Sequence, residues 1–247
     1  MNSLPGIMKR NNGFTFMVNN RPFILLAAET HNSAGTSREY MVSVWKKLEE
    51  LNCNTVLVPI PWESIEPRED YFDFALVEEL INGARKHNKK LVFLWFGTWK
   101  NGHSTYVPSW IKTDLTRFPR TENEYGIRSR TLSMFGSGIL ETELKSFRKL
   151  IQYIKKTDEG QQTVIALQIE NEVGILDAAR DFSAAAAEAF EKNVPVELPE
   201  HFRKTENDFF IQMIKRSEHT SDQSWQGMFG EVAGEVFMCW HYARYLN

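Results

Sequence analysis

The sequence predicts an α/β protein in which a parallel β-sheet is covered by helices. Runs that are apolar throughout, such as "NTVLVPI" from Asn54 and "KLVFLWF" from Lys90, are typical of strands buried on both faces. Segments with apolar residues at helical spacing, such as "FALVEELINGARKH" from Phe74, alternate with these runs. The resulting order is βαβαβαβα, which indicates a parallel sheet with helices packed on it.

The chain opens with a predicted hairpin over residues 14–28. "FTFMV" and "PFILLAA" flank Asn19 and Asn20, a residue type that tolerates the positive φ of a tight turn, and the second arm ends at Glu29. A helix is expected next, because Thr36 and Glu39 have the spacing of a capping box. Its predicted apolar face is Met41, Val44, Trp45, Leu48 and Leu51.

The later elements follow from the same periodicities. The strand from Lys90 is followed by a loop of about forty residues rich in Trp, Gly and Pro, and loops that long are often functional. A helix over 141–156 then leads into the strand "TVIALQI" from Thr163. Further helices are predicted after Asp181 (around the Ala184–Ala187 run), near 202–216 and near 231–246, the last with Glu231 and Glu235 on its polar side.

Composition excludes several classes of function. The chain has 247 residues and a net charge of -3, which argues against a partner held by phosphate neutralisation, so no nucleic acid is expected. No apolar run reaches about 18 residues, so no membrane span is expected. The N-terminus "MNSLPGIMKRNNG" lacks the apolar core of a signal peptide, which favours a cytoplasmic location for the chain as written.

Cofactor chemistry is not expected either. Cys53 and Cys239 have no CxxC partner and are interpreted as buried, reduced thiols. The six His residues form no HExxH and no His/Cys cluster, so the sequence predicts no catalytic metal. No glycine-rich phosphate-binding motif follows a strand, and no other cofactor is predicted.

Polar and aromatic residues gather just after the predicted strands. In a (β/α)-barrel, the edge formed by the carboxyl ends of the strands is where active sites are built. The candidates for contact with a ligand at this edge are Glu29, His31, Trp62, Trp99, Asn101 and Asn171, with Glu172 as the catalytic candidate. The alternative for Trp62 is packing at the rim, and Glu63 could equally pair with a nearby Arg. Glu29 and His31 could instead be a loop carboxylate and a histidine at the entry to a helix.

In the segment "TVIALQIENEVGIL" (residues 163–176), an apolar strand is followed directly by the carboxyl, amide and carboxyl side chains of Glu170, Asn171 and Glu172. Glycosidic bond cleavage needs one carboxyl group to protonate the leaving oxygen and a second to attack the anomeric carbon or activate water. An amide such as Asn171 is suited to hydrogen-bonding a sugar hydroxyl. The alternative is that Glu170 and Glu172 merely begin a solvated loop.

These segments resemble a known family. "ALQIENEVG" is similar to the acid/base segment of glycoside hydrolase family 35 and 42 β-galactosidases, and "VPIPWESIEP" followed by "YFDFALVEELI" is similar to the segment after their second strand. "ETHNSAGTSREYM", "LWFGTWKNG" and "CWHYARYL" resemble a bacterial subgroup of family 35-like enzymes. The resemblance covers nearly the whole chain.

The resemblance implies a (β/α)8 TIM barrel and a retaining mechanism with two glutamates. The acid/base of this clan follows Asn at the end of strand four, which matches Asn171 and Glu172, and the nucleophile is a Glu at the end of strand seven. The chain departs from the family at Pro59, where well-known members carry Tyr, and at Asn32, where His-Tyr is usual.

By strand count, residues 1–247 hold about the first four βα units, so the chain is expected to be the N-terminal half of a barrel whose second half is absent. The expected function is hydrolysis of terminal β-galactosyl residues with Glu172 as acid/base and the nucleophile beyond the chain end. The alternatives are a catalytically inactive half-barrel that binds carbohydrate or assembles, and another clan A glycosidase such as a mannanase or cellulase relative.

The open strand edges and an uncovered apolar inner face are expected to need covering. The expected partners are therefore a carbohydrate substrate and either a second copy in a homo-oligomer or the missing C-terminal half.

Overall fold

The computed structural model describes residues 4–11, 13–176, 178–204 and 222–247. These residues form two compact units. The first unit comprises Met1–Lys100, Thr105–Thr113 and Glu141–Glu172, and the second comprises Asn101–Ser104, Asp114–Leu140 and Val173–Asn247.

The strands of the described residues are β1 (Gly6–Arg10), β2 (Gly13–Val18), β3 (Arg21–Pro22), β4 (Ala27–Glu29), β5 (Thr55–Pro61), β6 (Lys90–Lys100), β7 (Arg120–Glu122), β8 (Arg128–Leu132) and β9 (Val164–Asn171). The helices are α1 (Arg38–Glu50), α2 (Trp62–Ile65), α3 (Ala75–Lys86), α4 (Ser109–Thr113), α5 (Ile139–Asp158), α6 (Ala184–Phe190), α7 (Glu197–Lys204), α8 (Trp225–Phe229) and α9 (Ala233–Leu246). Short 3₁₀ turns occupy Ala34–Thr36 and Gly230–Val232.

The first unit contains the predicted parallel sheet. Its strands lie in the order β4-β5-β6-β9, and every neighbouring pair is parallel. The connections run through α1, α3 and α5, as the alternation of periodicities predicted. Strands β4 and β9 form the two edges of this sheet within the described residues.

The N-terminal hairpin is confirmed in its turn and differs in its second arm. Asn19 (φ 52°) and Asn20 (φ 61°) are both left-handed, as a two-residue hairpin turn requires. The arm after the turn pairs with β2 only through Arg21–Pro22, and residues 27–29 join the parallel sheet instead. Asn54 holds the start of this arm beside β5, since its Oδ1 accepts the Leu26 N–H (3.0 Å) and its own N–H donates to the Leu26 carbonyl (2.8 Å).

Helix α1 begins one residue later than the capping-box spacing predicted. Ser37 is the N-cap, and its hydroxyl accepts the Tyr40 N–H at 3.2 Å, so the expectation that Thr36 caps the helix is wrong. Met41, Trp45 and Leu48 are buried as predicted. Leu51 is 67 % exposed because the helix ends at Glu50 and the chain turns away.

The helix-facing side of the sheet forms a fully apolar layer. Val56, Val58, Ile60, Leu91, Phe93 and Trp95 are all 0 % exposed. Complete burial of an aliphatic side chain stabilises the fold by about 1.5–3 kcal/mol, so this layer is a main source of stability for the first unit.

The opposite face of the sheet was expected to be uncovered, and that expectation is wrong. Val92, Leu94 and Phe96 form a buried cluster with Val18 and Ile165. Phe16 and Phe23 of the hairpin and Tyr106 pack against the same cluster. The hairpin therefore covers the inner face, a role that its own alternating sequence did not reveal.

The segment after β6 contains more structure than the predicted loop. Strand β6 runs on to Lys100, and the segment that follows includes α4 and the antiparallel pair β7–β8. Asp181 is 0 % exposed in the second unit and accepts the Glu122 N–H (3.1 Å), the Ser183 N–H (2.8 Å) and the Ser133 hydroxyl (2.6 Å). This buried carboxylate ties β7 to the segment that leads into α6.

An aromatic cluster forms the core of the second unit around α9. His241 stacks its edge on Phe237 (4.6 Å between ring centroids) and on Phe135 (4.9 Å). Burial, and secondarily the charge of Arg244, lowers the pKa of His241 to about 4, so this ring is neutral at physiological pH. It packs as an uncharged aromatic.

The C-terminal predictions stand as follows. Helices α6 and α9 confirm the predicted helical stretches, and Glu231 and Glu235 are exposed as predicted. Of the helix predicted near 202–216, residues 202–204 belong to α7 and the remainder lies outside the described residues. Cys53 is buried, but Cys239 is exposed because it faces outward on α9, which corrects the expectation that both thiols are buried.

No helix in the described ranges has the length and apolar character to cross a bilayer.

Candidate active site

The carboxyl ends of parallel strands meet at one edge of a sheet, and this edge carries the candidate site. Strand β6 ends at Lys100 and strand β9 at Asn171, and these two residues are paired in the strand register. Glu172 follows directly, with its side chain 65 % exposed. The predicted acid/base candidate is therefore a solvent-accessible carboxyl group at the expected edge.

Lys100 orients the amide beside that carboxyl group. Its ammonium donates to Asn171 Oδ1 at 2.7 Å and lies 4.0 Å from Glu172 Oε2. The Lys100 side chain is 13 % exposed, so its charge is largely shielded from solvent. Because Lys100 takes the oxygen end of the Asn171 amide, the NH₂ end is turned toward other partners.

The two glutamates that flank Asn171 have opposite environments. Glu170 is 3 % exposed, in contrast to Glu172. Both have left-handed backbones, with φ of 62° at Glu170 and 52° at Glu172. Residues i and i+2 of a regular strand share a face. The left-handed conformations break that alternation, so one carboxyl group points inward and the other outward.

A wide bulge in β6 explains why Glu170 is buried. Trp95 pairs with Ile169 and Lys100 pairs with Asn171, so residues 96–99 of β6 face the single residue Glu170. The Glu170 carboxyl group fills the gap, since Oε1 accepts the Thr98 N–H (2.7 Å) and Oε2 the Trp99 N–H (2.8 Å). A side chain here replaces missing backbone acceptors.

Glu143 of α5 meets the same carboxyl group from the helix side. It is 5 % exposed, accepts the Trp95 Nε1–H at 2.8 Å and the Thr98 hydroxyl at 2.5 Å, and is hydrogen-bonded to Glu170. Burial, then the charge of Glu143 and the hydrogen bond with it, raises the pKa of Glu170 well above its ordinary value, against the opposing pull of the two N–H donors.

Trp62 and Trp99 were expected to contact substrate, and the structure corrects this. Trp62 is 0 % exposed, and its Nε1–H donates to Glu66 Oε2 (3.2 Å) and Ser146 Oγ (2.8 Å). Trp99 is 1 % exposed. Both indoles are buried at the rim and present no accessible face to a ligand.

We expect Trp99→Phe to destabilise the protein by about 1–3 kcal/mol, since it removes part of a buried aromatic side chain. The melting temperature should fall, and the heat of titration with galactose should be the same in the two proteins. Thermal unfolding and calorimetric titration with galactose measure the two quantities separately. Weaker galactose binding at an unchanged melting temperature would restore Trp99 as a sugar contact.

The remaining candidates lie as follows. Glu29 and His31 are exposed at the end of β4 and line an open depression with Thr30, Asn32 and Ser33. Asn101 is exposed and left-handed (φ 55°) and belongs to the second unit. Their part in ligand binding remains a prediction. Glu63 forms an ion pair with Lys112 at 2.9 Å, so its basic partner is a Lys and not the predicted Arg.

Sequence reasoning missed Lys100, Glu143 and Gly97. A signal existed for Glu143, which lies on the buried stripe of α5 with Ile139, Ser146 and Leu150, where a carboxyl group needs a partner. The sequence showed Lys100 only as the residue between the candidates Trp99 and Asn101. It gave no signal for Gly97, because the side chains that leave no room for a Cβ there include Glu143 and Glu170, which are distant in sequence. Within the described ranges, His, Cys, Asp and Glu form no group of three suited to a metal ion.

Comparison with solved structures shows the fold class. The chain is similar to a β-galactosidase from the Antarctic haloarchaeon Halorubrum lacusprofundi (16 % identity, TM-score 0.50, 84 % of this chain and 28 % of that one). It is similar to a β-galactosidase from Marinomonas ef1 (15 % identity, TM-score 0.51, 85 % of this chain and 28 % of that one). It is also similar to the catalytic domain of a β-amylase from Paenibacillus polymyxa (15 % identity, TM-score 0.52, 89 % of this chain and 59 % of that one). At such identity the likeness shows the fold alone, which is of the TIM-barrel type.

The class defined by fold and site is thus a (β/α)-barrel protein with a carboxyl and an amide side chain at the carboxyl edge of its sheet. The sequence profile described as Glycosyl hydrolases family 35 matches residues 15–230, and the chain belongs to this family. The chain spans between 28 and 59 % of the length of the three solved structures. A search of curated proteins returned no match.

Proposed function

We propose that the chain is part of the catalytic barrel of a retaining, β-galactosidase-like glycosidase that removes terminal β-galactosyl residues, with Glu172 as acid/base. The observation that carries the proposal is the exposed Glu172 beside Asn171 at the end of β9, in a chain that belongs to family 35. The β-galactosidases among the structural neighbours support the same substrate class.

In this proposal Glu172 first donates its proton to the glycosidic oxygen as the leaving group departs. The resulting carboxylate then takes a proton from the water that releases the sugar. Asn171 presents its NH₂ group to a sugar hydroxyl, because Lys100 holds the amide oxygen at 2.7 Å. Lys100 therefore sets the orientation of a substrate contact without itself being a proton donor in the reaction.

The proposal places the nucleophile in sequence that follows residue 247. A retaining enzyme needs a second carboxylate about 5–5.5 Å from the acid/base. Three other carboxyl groups lie close to the strand ends in sequence, but burial or an ion pair makes each of them unsuited to act as the nucleophile. Glu170 and Glu66 are buried, and Glu63 is paired with Lys112.

An endo-acting relative such as a mannanase or cellulase is supported less well. Such enzymes stack successive sugars on several accessible tryptophans along an open cleft. Trp62 and Trp99 are buried, and the Trp110 Nε1–H is used by the Glu66 carbonyl at 3.1 Å. The tryptophans of the first unit at this edge thus support a terminal-sugar enzyme.

The test is an assay with chromogenic aryl glycosides. The protein encoded by a reading frame extended past residue 247, through an apolar strand that ends in Glu, should hydrolyse the β-galactoside. The 247-residue protein should not hydrolyse it. Turnover by the 247-residue protein would contradict the proposal, and Glu29 would then be the first nucleophile to examine.

We also propose that the strand edges β4 and β9 are completed by another chain segment, either the remaining barrel strands or a second copy. Ile169 on β9 is 49 % exposed, and an unpaired apolar edge favours association. Light scattering on the 247-residue protein should show dimers or larger species at micromolar concentration. A monodisperse monomer would contradict this expectation.

A further inference from the structure

Glu143 and Glu170 present an electrostatic conflict at the base of the candidate site. Two carboxyl groups in hydrogen-bond contact, 5 % and 3 % exposed, cannot both be ionised without strong repulsion. Trp95, Thr98 and Trp99 of β6 donate neutral N–H and O–H groups to the pair. From the α2 side, Glu66 is a third buried carboxyl group, which accepts hydrogen bonds from the Trp62 Nε1–H and the Ser146 hydroxyl. Ser146 lies one turn along α5 from Glu143.

We propose that Glu143 and Glu170 share one proton, and that this carboxyl pair is the positioning element that holds Asn171 and Glu172 at the end of β9. The positioning role rests on the proposed function of Glu172 as acid/base. The shared proton does not depend on that function.

The pair acts on the site through the backbone of β9. Glu170 is left-handed and has four residues of β6 opposite it, so the regular ladder cannot hold it there. The Thr98 and Trp99 amides hold it through its carboxyl oxygens, and Glu143 holds the same region of β6 through Trp95 and Thr98. Asn171 and Glu172 are the next residues, so their positions depend on this anchor.

A lone shared proton makes the anchor sensitive to a rise in pH. The pKa of Glu170 is raised in the folded protein above its ordinary value of 4.5, because of burial first and the Glu143 charge second. A group with a raised folded pKa contributes its full stability below its unfolded pKa. That stability is lost as the pH rises through the folded value, when the pair becomes doubly charged.

Three glutamine variants separate the possibilities. Glu143→Gln replaces the shared proton with a permanent N–H donor, so Glu170 can remain ionised and keep its two N–H donors. Glu170→Gln puts an NH₂ group where Oε1 or Oε2 accepts a backbone N–H, so one donor loses its acceptor. Glu141→Gln is the matched control, because Glu141 is exposed in the first turn of the same helix.

The measurements are thermal unfolding across pH, infrared spectroscopy and amide hydrogen exchange on the 247-residue protein. The wild type and Glu141→Gln should lose melting temperature as the pH rises through the folded pKa of Glu170, and they should show the C=O band of a protonated carboxyl group below that pH. Glu143→Gln should fold and should lose both this decline at rising pH and the band. In Glu170→Gln the Thr98 or Trp99 amide should exchange about tenfold faster or more than in Glu143→Gln.

Each contrary result overturns a stated part of the inference. If Glu143→Gln does not fold, or keeps the band and the decline at rising pH, the shared proton is refuted. If the Asn171 and Glu172 amides show the same chemical shifts and exchange rates in Glu170→Gln as in the wild type, the positioning role is refuted. Inactivity of an extended chain toward β-galactosides would instead count against the proposed function, and it would leave these readouts unchanged.

Discussion

Replacing Glu172 with Gln, in a protein that also contains the nucleophile, should slow hydrolysis of an alkyl β-galactoside by about 10² to 10⁴-fold, the range for loss of a general acid. Gln keeps the size of the side chain and cannot give up a proton to the leaving oxygen. Since Glu172 is 65 % exposed at the strand end, the melting temperature should change little. Steady-state kinetics and thermal unfolding on the same preparation measure both effects.

The leaving group supplies an internal control for this prediction. Aryl galactosides whose leaving group needs no proton should show a much smaller loss in the glycosylation step. Glu50→Gln, an exposed change at the end of α1, should leave the kinetics as they are. Equal losses for alkyl and activated aryl substrates would show that Glu172 does not act as the acid.

Gly97→Ala should destabilise the protein by about 1–3 kcal/mol or more, the range for forcing an extra group into a closely packed site. A Cβ at this position would overlap Glu143 Oε1 and lie 2.5 Å from Trp95 Nε1 and 2.6 Å from Glu170 Oε1. Moving these atoms aside costs free energy, because each is held by hydrogen bonds in a buried site. The added methyl group therefore has to displace the carboxyl pair or the β6 bulge.

Denaturant unfolding measures this loss, with Gly6→Ala as the control. At Gly6 the nearest atom to a new Cβ is the Leu4 carbonyl oxygen at 3.8 Å, so the same substitution meets no obstacle there. If Gly97→Ala is as stable as Gly6→Ala, the packing of the two carboxyl groups against β6 is not as described.

Much of the architecture could be predicted because burial leaves a pattern in the residues themselves. Strands covered on both faces have to be apolar throughout, which identified β5, β6 and β9, and helices covered on one face show a 3.6-residue period, which identified α1, α3 and α5. The rim position of Glu172 followed from the same reasoning, since parallel strands end at one edge. Covering of the inner face by Val18 and Phe16 could not be predicted, because a hairpin sequence does not say what it packs against.

The roles of individual rim residues were decided by tertiary contacts. Trp62 and Trp99 have the residue type of a sugar contact, and the packing of neighbouring helices and strands makes them core residues. Lys100 gained its role only when the register paired it with Asn171.

The sequence by itself determined that a strand carries two glutamates to the carboxyl edge of a parallel sheet, and it matched one of them to an acid/base position. Only the tertiary structure decided which carboxyl group faces solvent. A regular strand would place Glu170 and Glu172 on one face. The bulge of β6 and the left-handed backbone at both residues turn Glu170 inward to Glu143 and leave Glu172 exposed. The physical reason is that unpaired backbone N–H groups on one strand require an acceptor, and a residue on another strand supplies it.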